Sequence, residues 1–119
     1  MSTSQYMHST PSLLLETVGD DREIFLELAE IFMRESTEKL EKMQEAAKAG
    51  DLVALAHHSH ALKGTVGPLG ADVLMQELID IEAECNAKTC NFDEHKQLFL
   101  ITELNHVCRE LQEFIVNFS

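Results

Sequence analysis

Helix-breaking residues are scarce in this chain, and that scarcity limits the folds open to it. Its 119 residues include only five Gly and two Pro. No long run alternates between β-branched and polar residues as a half-buried strand would. Apolar residues instead recur three and four positions apart, which is the spacing of one face of an α-helix. We therefore expect an all-α single domain over residues 1–119, in which residues 1–9 form a flexible tail.

Capping residues divide the chain into one short helix and four long ones. Pro11 suits the first position of a short helix. Asp20-x-x-Glu23 and Asn91-x-x-Glu94 have the spacing of capping boxes at the starts of two long helices. The predicted helices run from 11 to 18, from 20 to 50 without a break, from 51 to between 66 and 69, from about 71 to 88, and from 91 to 118. The predicted core stripe of the last helix is Leu98, Ile101, Leu104, Cys108, Leu111, Ile115 and Phe118.

The charge balance narrows the range of partners. The chain has 21 acidic residues against 9 basic ones, for a formal net charge of −12. Such a chain repels nucleic acid and anionic membrane surfaces, and no cluster of Lys or Arg offsets this. No segment resembles a signal peptide or a membrane span. The three Cys form no Cys-x-x-Cys pair, and their odd number fits reduced thiols in the cytoplasm. We expect a cytoplasmic monomer.

The run from His57 to Ala71 departs from an ordinary helix surface. On a helix, one stripe of this region is almost wholly apolar and predicts a core face. The neighbouring stripe carries two imidazoles followed by two residues without side chains, where a solvated face would carry Glu, Lys or Gln. The core stripe is Leu52, Leu55, Ser59, Leu62 and Val66, and the neighbouring stripe is Val53, His57, His60, Gly64 and Gly67.

The two glycines of this stripe need a physical reason. Glycine within a helix costs roughly 0.5–1 kcal/mol relative to alanine. One reason is clearance, because Gly64 and Gly67 leave the approach to the His60 ring open. Lys63 lies three positions beyond His60, close enough for its ammonium group to meet an anion on that ring. An accessible imidazole with a neighbouring cation suits a histidine that accepts a phosphoryl group from another protein.

The same run carries a family resemblance. His60-Ala61-Leu62-Lys63-Gly64, preceded by Ala56 and followed by Gly67, Leu69, Gly70 and Ala71, resembles the signature of histidine-containing phosphotransfer (HPt) domains. The resemblance implies an antiparallel four-helix bundle with a short N-terminal accessory helix. It also implies a phosphoryl carrier in a two-component phosphorelay, with His60 as the phospho-acceptor. The implied partners are response-regulator receiver domains and a hybrid sensor histidine kinase.

Accepting a phosphoryl group requires few functional groups in the carrier itself. A histidine of ordinary pKa is largely neutral near pH 7 and has a lone pair for attack on phosphorus. The resemblance implies that the receiver supplies the aspartyl phosphate and its Mg²⁺, so we expect no cofactor in this chain. Lys63 would stabilise charge, and Gly64 would give clearance for docking. No loop has the pattern of a nucleotide cradle, so we expect no autokinase activity.

Other interpretations of the same residues stay open. His57 and Gly67 are candidates for the docking surface. Glu82 is either a polar partner of the His60 ring, as the family resemblance suggests, or an ordinary acid at the rim. A metal site at His57 and His60 is conceivable, since imidazoles three apart can share an ion, but it needs further ligands. The main competing function, ahead of the metal site, is an interaction module that binds receiver or kinase domains without phosphotransfer.

Overall fold

The structure, a computed structural model, describes residues 6–118 of the chain. It consists of five α-helices and one short 3₁₀ turn, Gly67–Leu69, between the third and fourth of them. No strand occurs in this part of the chain, in agreement with the all-α prediction. The helices are α1 (Pro11–Thr17), α2 (Arg22–Ala49), α3 (Leu52–Val66), α4 (Asp72–Asn86) and α5 (Glu94–Phe118).

Helices α2 to α5 form the predicted antiparallel four-helix bundle, and α1 is the short accessory helix. The contacts of α3 with α2 and α4 are the most extensive, and α5 closes the bundle against α2 and α4. The prediction that α2 is continuous is confirmed. Its 28 residues span about 42 Å at 1.5 Å per residue, close to the 44 Å length of the whole molecule.

The buried stripe of α3 lies where the sequence places it. Leu55, Ser59, Leu62 and Val66 are buried in the core, and Leu52 is half-buried. The hydroxyl group of Ser59 donates a 2.7 Å hydrogen bond to the carbonyl oxygen of Leu55, so this polar side chain is satisfied within its own helix. The neighbouring stripe, with His60, therefore lies at the edge of the core and reaches solvent.

Two predicted caps are wrong. Asp21, not Asp20, caps α2, because its carboxylate accepts a hydrogen bond from the Ile24 N–H group. Asp20 has a φ of 64° and belongs to the turn that follows α1. The α5 capping box is displaced in the same way, since the carboxylate of Asp93 accepts from the Lys96 N–H group. In both places several acidic or amide residues adjoin, and the path of the preceding loop selects the cap.

The end of α3 falls within the predicted interval. The helix stops at Val66, and the chain continues through the 3₁₀ turn Gly67–Leu69. Pro68 has no N–H group to donate to the Gly64 carbonyl, which removes one α-helical hydrogen bond at this point. Gly70, with a φ of 63°, ends the turn before α4 begins.

The predicted core stripe of α5 is partly wrong. Leu98 is 63% exposed, whereas Leu100 and Val107, which the stripe omits, are fully buried. Leu104 and Leu111 are buried as predicted. The helix has apolar residues on more than one side, so a three-four pattern can be drawn along its edge as well as along its buried centre. The rotation of α5 against the bundle decides between them.

Residues 6–9, which we call the N-terminal strap, differ from the expectation of a flexible tail. The N–H groups of Met7 and His8 donate hydrogen bonds to the carboxylate of Glu110 on α5, and the Ser9 hydroxyl donates another at 2.6 Å. The strap leads into α1, where the Thr10 N–H group donates to the Leu69 carbonyl oxygen at 2.7 Å. Residues 1–5 of the predicted tail lie outside the described residues.

Over residues 6–118, no helix combines the length and the apolar character needed to cross a bilayer.

Candidate functional site

His60 presents its ring on the outer surface of α3. Its side chain is 69% exposed. The Nδ1 atom lies 3.1 Å from Oε2 of Glu82, which projects from α4. The local sequence explains the exposure, because Ser59 and Leu62 on either side of His60 face the core and leave it at the edge. The structure therefore brings together a histidine and a carboxylate that are 22 residues apart in the chain.

Lys63 belongs to the same cluster. Its Nζ atom lies 2.8 Å from Oε1 of Glu82, and both side chains are less than a quarter exposed. Glu82 could be a polar partner of the His60 ring or an ordinary acid at the rim, and its contacts with both His60 and Lys63 fit the first interpretation. The single carboxylate thus uses one oxygen for the imidazole and the other for the ammonium group.

The charge state of Glu82 follows from this pairing. The hydrogen bond from Lys63 is the largest of the effects that hold the pKa of Glu82 below its usual value, and the charges of Lys63 and His60 act in the same direction. A carboxyl group with a lowered pKa is ionised near pH 7 and can only accept hydrogen bonds. Because this pKa is lowered, Glu82 becomes protonated, and its ion pair with Lys63 is lost, only when the pH falls through that value in the acidic range.

An ionised Glu82 assigns the tautomer of the neutral His60 ring. Because the carboxylate only accepts, Nδ1 must carry the proton and donate it to Glu82. The lone pair is then on Nε2, the ring atom that Glu82 does not contact. The site presents a histidine with one nitrogen fixed and the other available as a nucleophile.

The two glycines of the His60 stripe have different surroundings. A Cβ atom on Gly64 would meet no described heavy atom within 4 Å, so this position is open. A Cβ atom on Gly67 would lie 3.3 Å from Cε of Met75 on α4. The absence of a side chain at Gly67 therefore allows close packing between the turn after α3 and α4. A docking role for Gly67 stays a prediction.

His57 and His58 lie one turn before His60 and pair with each other. Their rings meet edge to face, with centroids 5.3 Å apart. His57 is exposed on the same side as His60, whereas His58 is half-buried. Burial is the main cause that lowers the pKa of His58, and the neighbouring His57 adds to it. A docking role for His57 is compatible with its exposure and is likewise still a prediction.

An apolar groove begins at Gly64 and extends away from His60. It has a volume of about 330 Å³ and lies between α1, α2 and α3. Leu14 and Phe32 are among its apolar walls, and Ile31 at its edge is partly exposed. Because Gly64 lines one end of the groove, the open surface beside His60 continues toward α1. The sequence analysis does not identify this groove, because its walls come from three helices.

A metal site at His57 and His60 would need further ligands close to the two rings. Among the described residues, no three His, Cys, Asp or Glu side chains converge in a way that could hold a metal ion. His57 faces His58, and His60 faces Glu82 and Lys63. The His57–His60 pair therefore has no third ligand in this part of the chain.

Comparison with known proteins gives one family and one related structure. A family model, the Hpt domain, matches residues 27–114, which extend from α2 into α5. No curated protein matches the sequence. Among solved structures, the crystal structure of histidine-containing phosphotransfer protein B (HptB) from Pseudomonas aeruginosa PAO1 is similar, with a TM-score of 0.84 at 20% identity, over 95% of this chain and 98% of that chain.

These comparisons agree with the all-α fold and with the family that the sequence resembles. The likeness to HptB concerns the fold, since the two sequences differ at most positions. The family model covers well over half of the chain and includes all of α3 and α4, the two helices that carry His60, Lys63 and Glu82. The chain therefore belongs to the Hpt domain family of phosphotransfer proteins.

Proposed function

We propose that this protein accepts a phosphoryl group on Nε2 of His60 from the phospho-aspartate of a response-regulator receiver domain and passes it to another receiver domain. A hybrid sensor histidine kinase would be the source of the phosphoryl group upstream. The observation that carries the proposal is the His60 ring, which is exposed while its Nδ1 atom is held by Glu82 in a member of the Hpt family.

The transfer step follows from this geometry. The Nε2 lone pair attacks phosphorus, a P–N bond forms, and the bond between phosphorus and the aspartate oxygen breaks, so that the aspartate leaves as a carboxylate. The imidazole gains positive charge as the bond forms, and its Nδ1 proton stays hydrogen-bonded to the negative Glu82. Phosphoryl transfer depends mainly on positioning and on charge stabilisation, and Glu82 supplies both for the ring.

Lys63 has a second role in the same step. In the resting state its ammonium group is bound to Glu82. A phosphoryl group on Nε2 brings about two negative charges to a protein whose net charge is already −12. Lys63 is the only base between Lys48 and Lys88 in the sequence, and it lies one helical turn from His60. We infer that it is shared between Glu82 and the phosphoryl group after transfer.

The receiver domain would dock over the open side of His60. Gly64 leaves that side free, and the groove between α1, α2 and α3 continues from it. An apolar helix of the receiver would fill the groove and bring its aspartyl phosphate and Mg²⁺ over Nε2. The metal ion would come with the partner, and the chain would act as a phosphoryl carrier without autokinase activity.

The test is transfer from purified receiver domains that have been phosphorylated with a small-molecule phosphodonor. We expect acid-labile label on the wild-type protein and none on His60→Gln. His57→Gln and His58→Gln are matched controls from the same helix and should keep the label. Label that persists on a folded His60→Gln protein would contradict the assignment. A wild-type protein that binds receivers but takes no label from any of them would favour the non-catalytic interaction module.

A further inference from the structure

The end of α4 turns the chain back over its own last turn. The Lys88 N–H group donates to the Cys85 carbonyl oxygen at 3.0 Å, and the Thr89 N–H group donates to that of Glu84 at 2.9 Å. Lys88 has a φ of 60°, so these two bonds form the Schellman pattern that reverses a helix end. The reversal carries Cys90 back toward Cys85.

The two cysteines meet at this reversal. Cys85 is buried in the core, and Cys90 is half-buried and packs against the same cluster. Both are free thiols, and the side chain of Cys90 is close enough to that of Cys85 to affect its pKa. Burial, together with that contact, raises the pKa of Cys85 to about 12. Two reduced sulfur atoms therefore lie close together at the edge of the bundle, five positions apart in the sequence.

Both thiols border openings to solvent. Cys90 lines a cavity of about 210 Å³ together with Phe92, and Cys85 lines another of about 450 Å³ together with Asn86. Leu52 at the start of α3 lines both. Each cavity has many times the volume of one water molecule. A small oxidant that is little larger than water can therefore enter.

We propose that Cys85 and Cys90 form a reversible dithiol–disulfide pair that is oxidised by a small peroxide such as hydrogen peroxide. This site is separate from the phosphotransfer site, and the proposal does not depend on the proposed function. The net reaction converts two thiols and one hydrogen peroxide into one disulfide and two water molecules.

The order of the two steps follows from exposure. Cys90 is the more accessible sulfur, so it attacks the peroxide first, and the O–O bond breaks to give a sulfenic acid and water. The Cys85 sulfur then attacks the Cys90 sulfur, an S–S bond forms, and the S–O bond breaks. The Cys85 proton leaves with the hydroxide as the second water molecule. Cys85 is held protonated by its surroundings, and its fixed position beside Cys90 compensates for its low nucleophilicity.

Cys108 provides an internal control. It lies on α5, its thiol hydrogen-bonds to Ser36 of α2, and burial raises its pKa. Cys108 therefore lies between α5 and α2, away from the end of α4 where Cys85 and Cys90 meet. The pair should therefore be oxidised without Cys108.

The experiment treats the full-length protein with hydrogen peroxide and counts free thiols after denaturation in the presence of a maleimide. We expect three thiols before treatment and one afterwards, with all three restored by dithiothreitol. Tryptic digestion should yield peptides 64–88 and 89–96 joined by a disulfide. Cys108→Ser should keep the loss of two thiols, whereas Cys85→Ser and Cys90→Ser should not form this bond. Circular dichroism checks that each variant is helical.

Three results would overturn the proposal. The first is a wild-type protein that keeps three thiols under peroxide while an exposed reference thiol is oxidised. The second is a disulfide that joins two chains through Cys90 and appears as a dimer on a non-reducing gel. The third is a linkage that includes Cys108.

Discussion

Among the described residues, two histidine–glutamate pairs have the same atoms in contact but different surroundings. On the surface of α3, Nδ1 of His60 lies 3.1 Å from Glu82, with side chains 69% and 22% exposed. Where the N-terminal strap meets α5, Nδ1 of His8 lies 2.8 Å from Glu103, with side chains 24% and 7% exposed. The contact alone therefore does not distinguish a reactive histidine from a structural one.

The two pairs differ in the residues that surround them. At His60, the glutamate also binds Lys63, and Gly64 leaves the approach open. At His8, the ring stacks on His106 with centroids 4.2 Å apart, and the nearby Glu110 binds the backbone of the strap.

The two pairs also differ in burial, and burial determines whether a carboxylate fixes the chain around it or can change its partners. A carboxylate in the interior must have its hydrogen-bond acceptors satisfied by fixed donors, and those donors then fix the chain that carries them. A carboxylate at the rim can exchange partners. The carboxylates of the strap site hold the chain that leads into α1, whereas at the α3 site Lys63 would, in the proposed function, be shared with a phosphoryl group.

The largest expected effect is on stability, at the strap site. Glu110→Ala leaves the N–H groups of Met7 and His8 and the Ser9 hydroxyl without their acceptor, so we expect a loss of about 1–3 kcal/mol in the free energy of unfolding. Glu113→Ala is the control, because Glu113 is exposed on the same helix and forms an exposed ion pair with Arg109. Its loss should stay below about 1 kcal/mol. Urea unfolding followed by circular dichroism measures both, and equal losses would remove the distinction between the two regions.

An intermediate effect is expected on transfer, at the α3 site. Gly64→Gln places a long side chain in the open approach to His60, so transfer from a receiver should slow by about tenfold or more, equivalent to roughly 1.4 kcal/mol. Gly64→Ala is the matched control, since its methyl group would meet no neighbour. It should fold at least as stably, with a helix-propensity gain of up to about 1 kcal/mol. Wild-type transfer rates in a folded Gly64→Gln protein would contradict the clearance argument.

The smallest expected effect concerns Lys63. The sequence alone favours a solvated lysine, but the side chain is 24% exposed and bound to Glu82. Lys63→Ala should lower transfer or phospho-His60 occupancy by less than about tenfold, and the difference should shrink as salt is added. Lys96→Ala is the control, because Lys96 forms a similar ion pair with Glu84 of α4 away from His60.

Three outcomes would change this interpretation of Lys63. Complete loss of transfer in a folded Lys63→Ala protein would mean that the lysine does more than offset charge. An unchanged rate at low salt would mean that its pairing with Glu82 has no part in the chemistry. Equal effects of Lys63→Ala and Lys96→Ala would point to net charge alone as the cause.

Much of the fold is readable from local sequence. The four long helices, the unbroken α2, the Asp51 cap and the buried stripe of α3 all follow from signals within a few residues of each other. Helix geometry fixes positions three and four apart on one face, so His60, Lys63 and Gly64 fall together whatever the rest of the chain does. This grouping, together with the resemblance to HPt domains, marks His60 as the candidate phospho-acceptor in the sequence.

The tertiary structure decided what depends on contact between distant segments. Glu82 meets His60 across 22 positions, and Glu110 meets His8 across 102. Acidic residues at 103 and 110 lie seven apart beside the buried stripe of α5, a signal that could have suggested a buried role, but nothing local identifies their partner. Periodicity defines a helix face only to within a fraction of a turn, and apolar residues on several sides of α5 leave its rotation open. The packing of α5 against α2 and α4 selects that rotation, because only one choice buries Leu100 and Val107 and gives the carboxylates of Glu103 and Glu110 their donors.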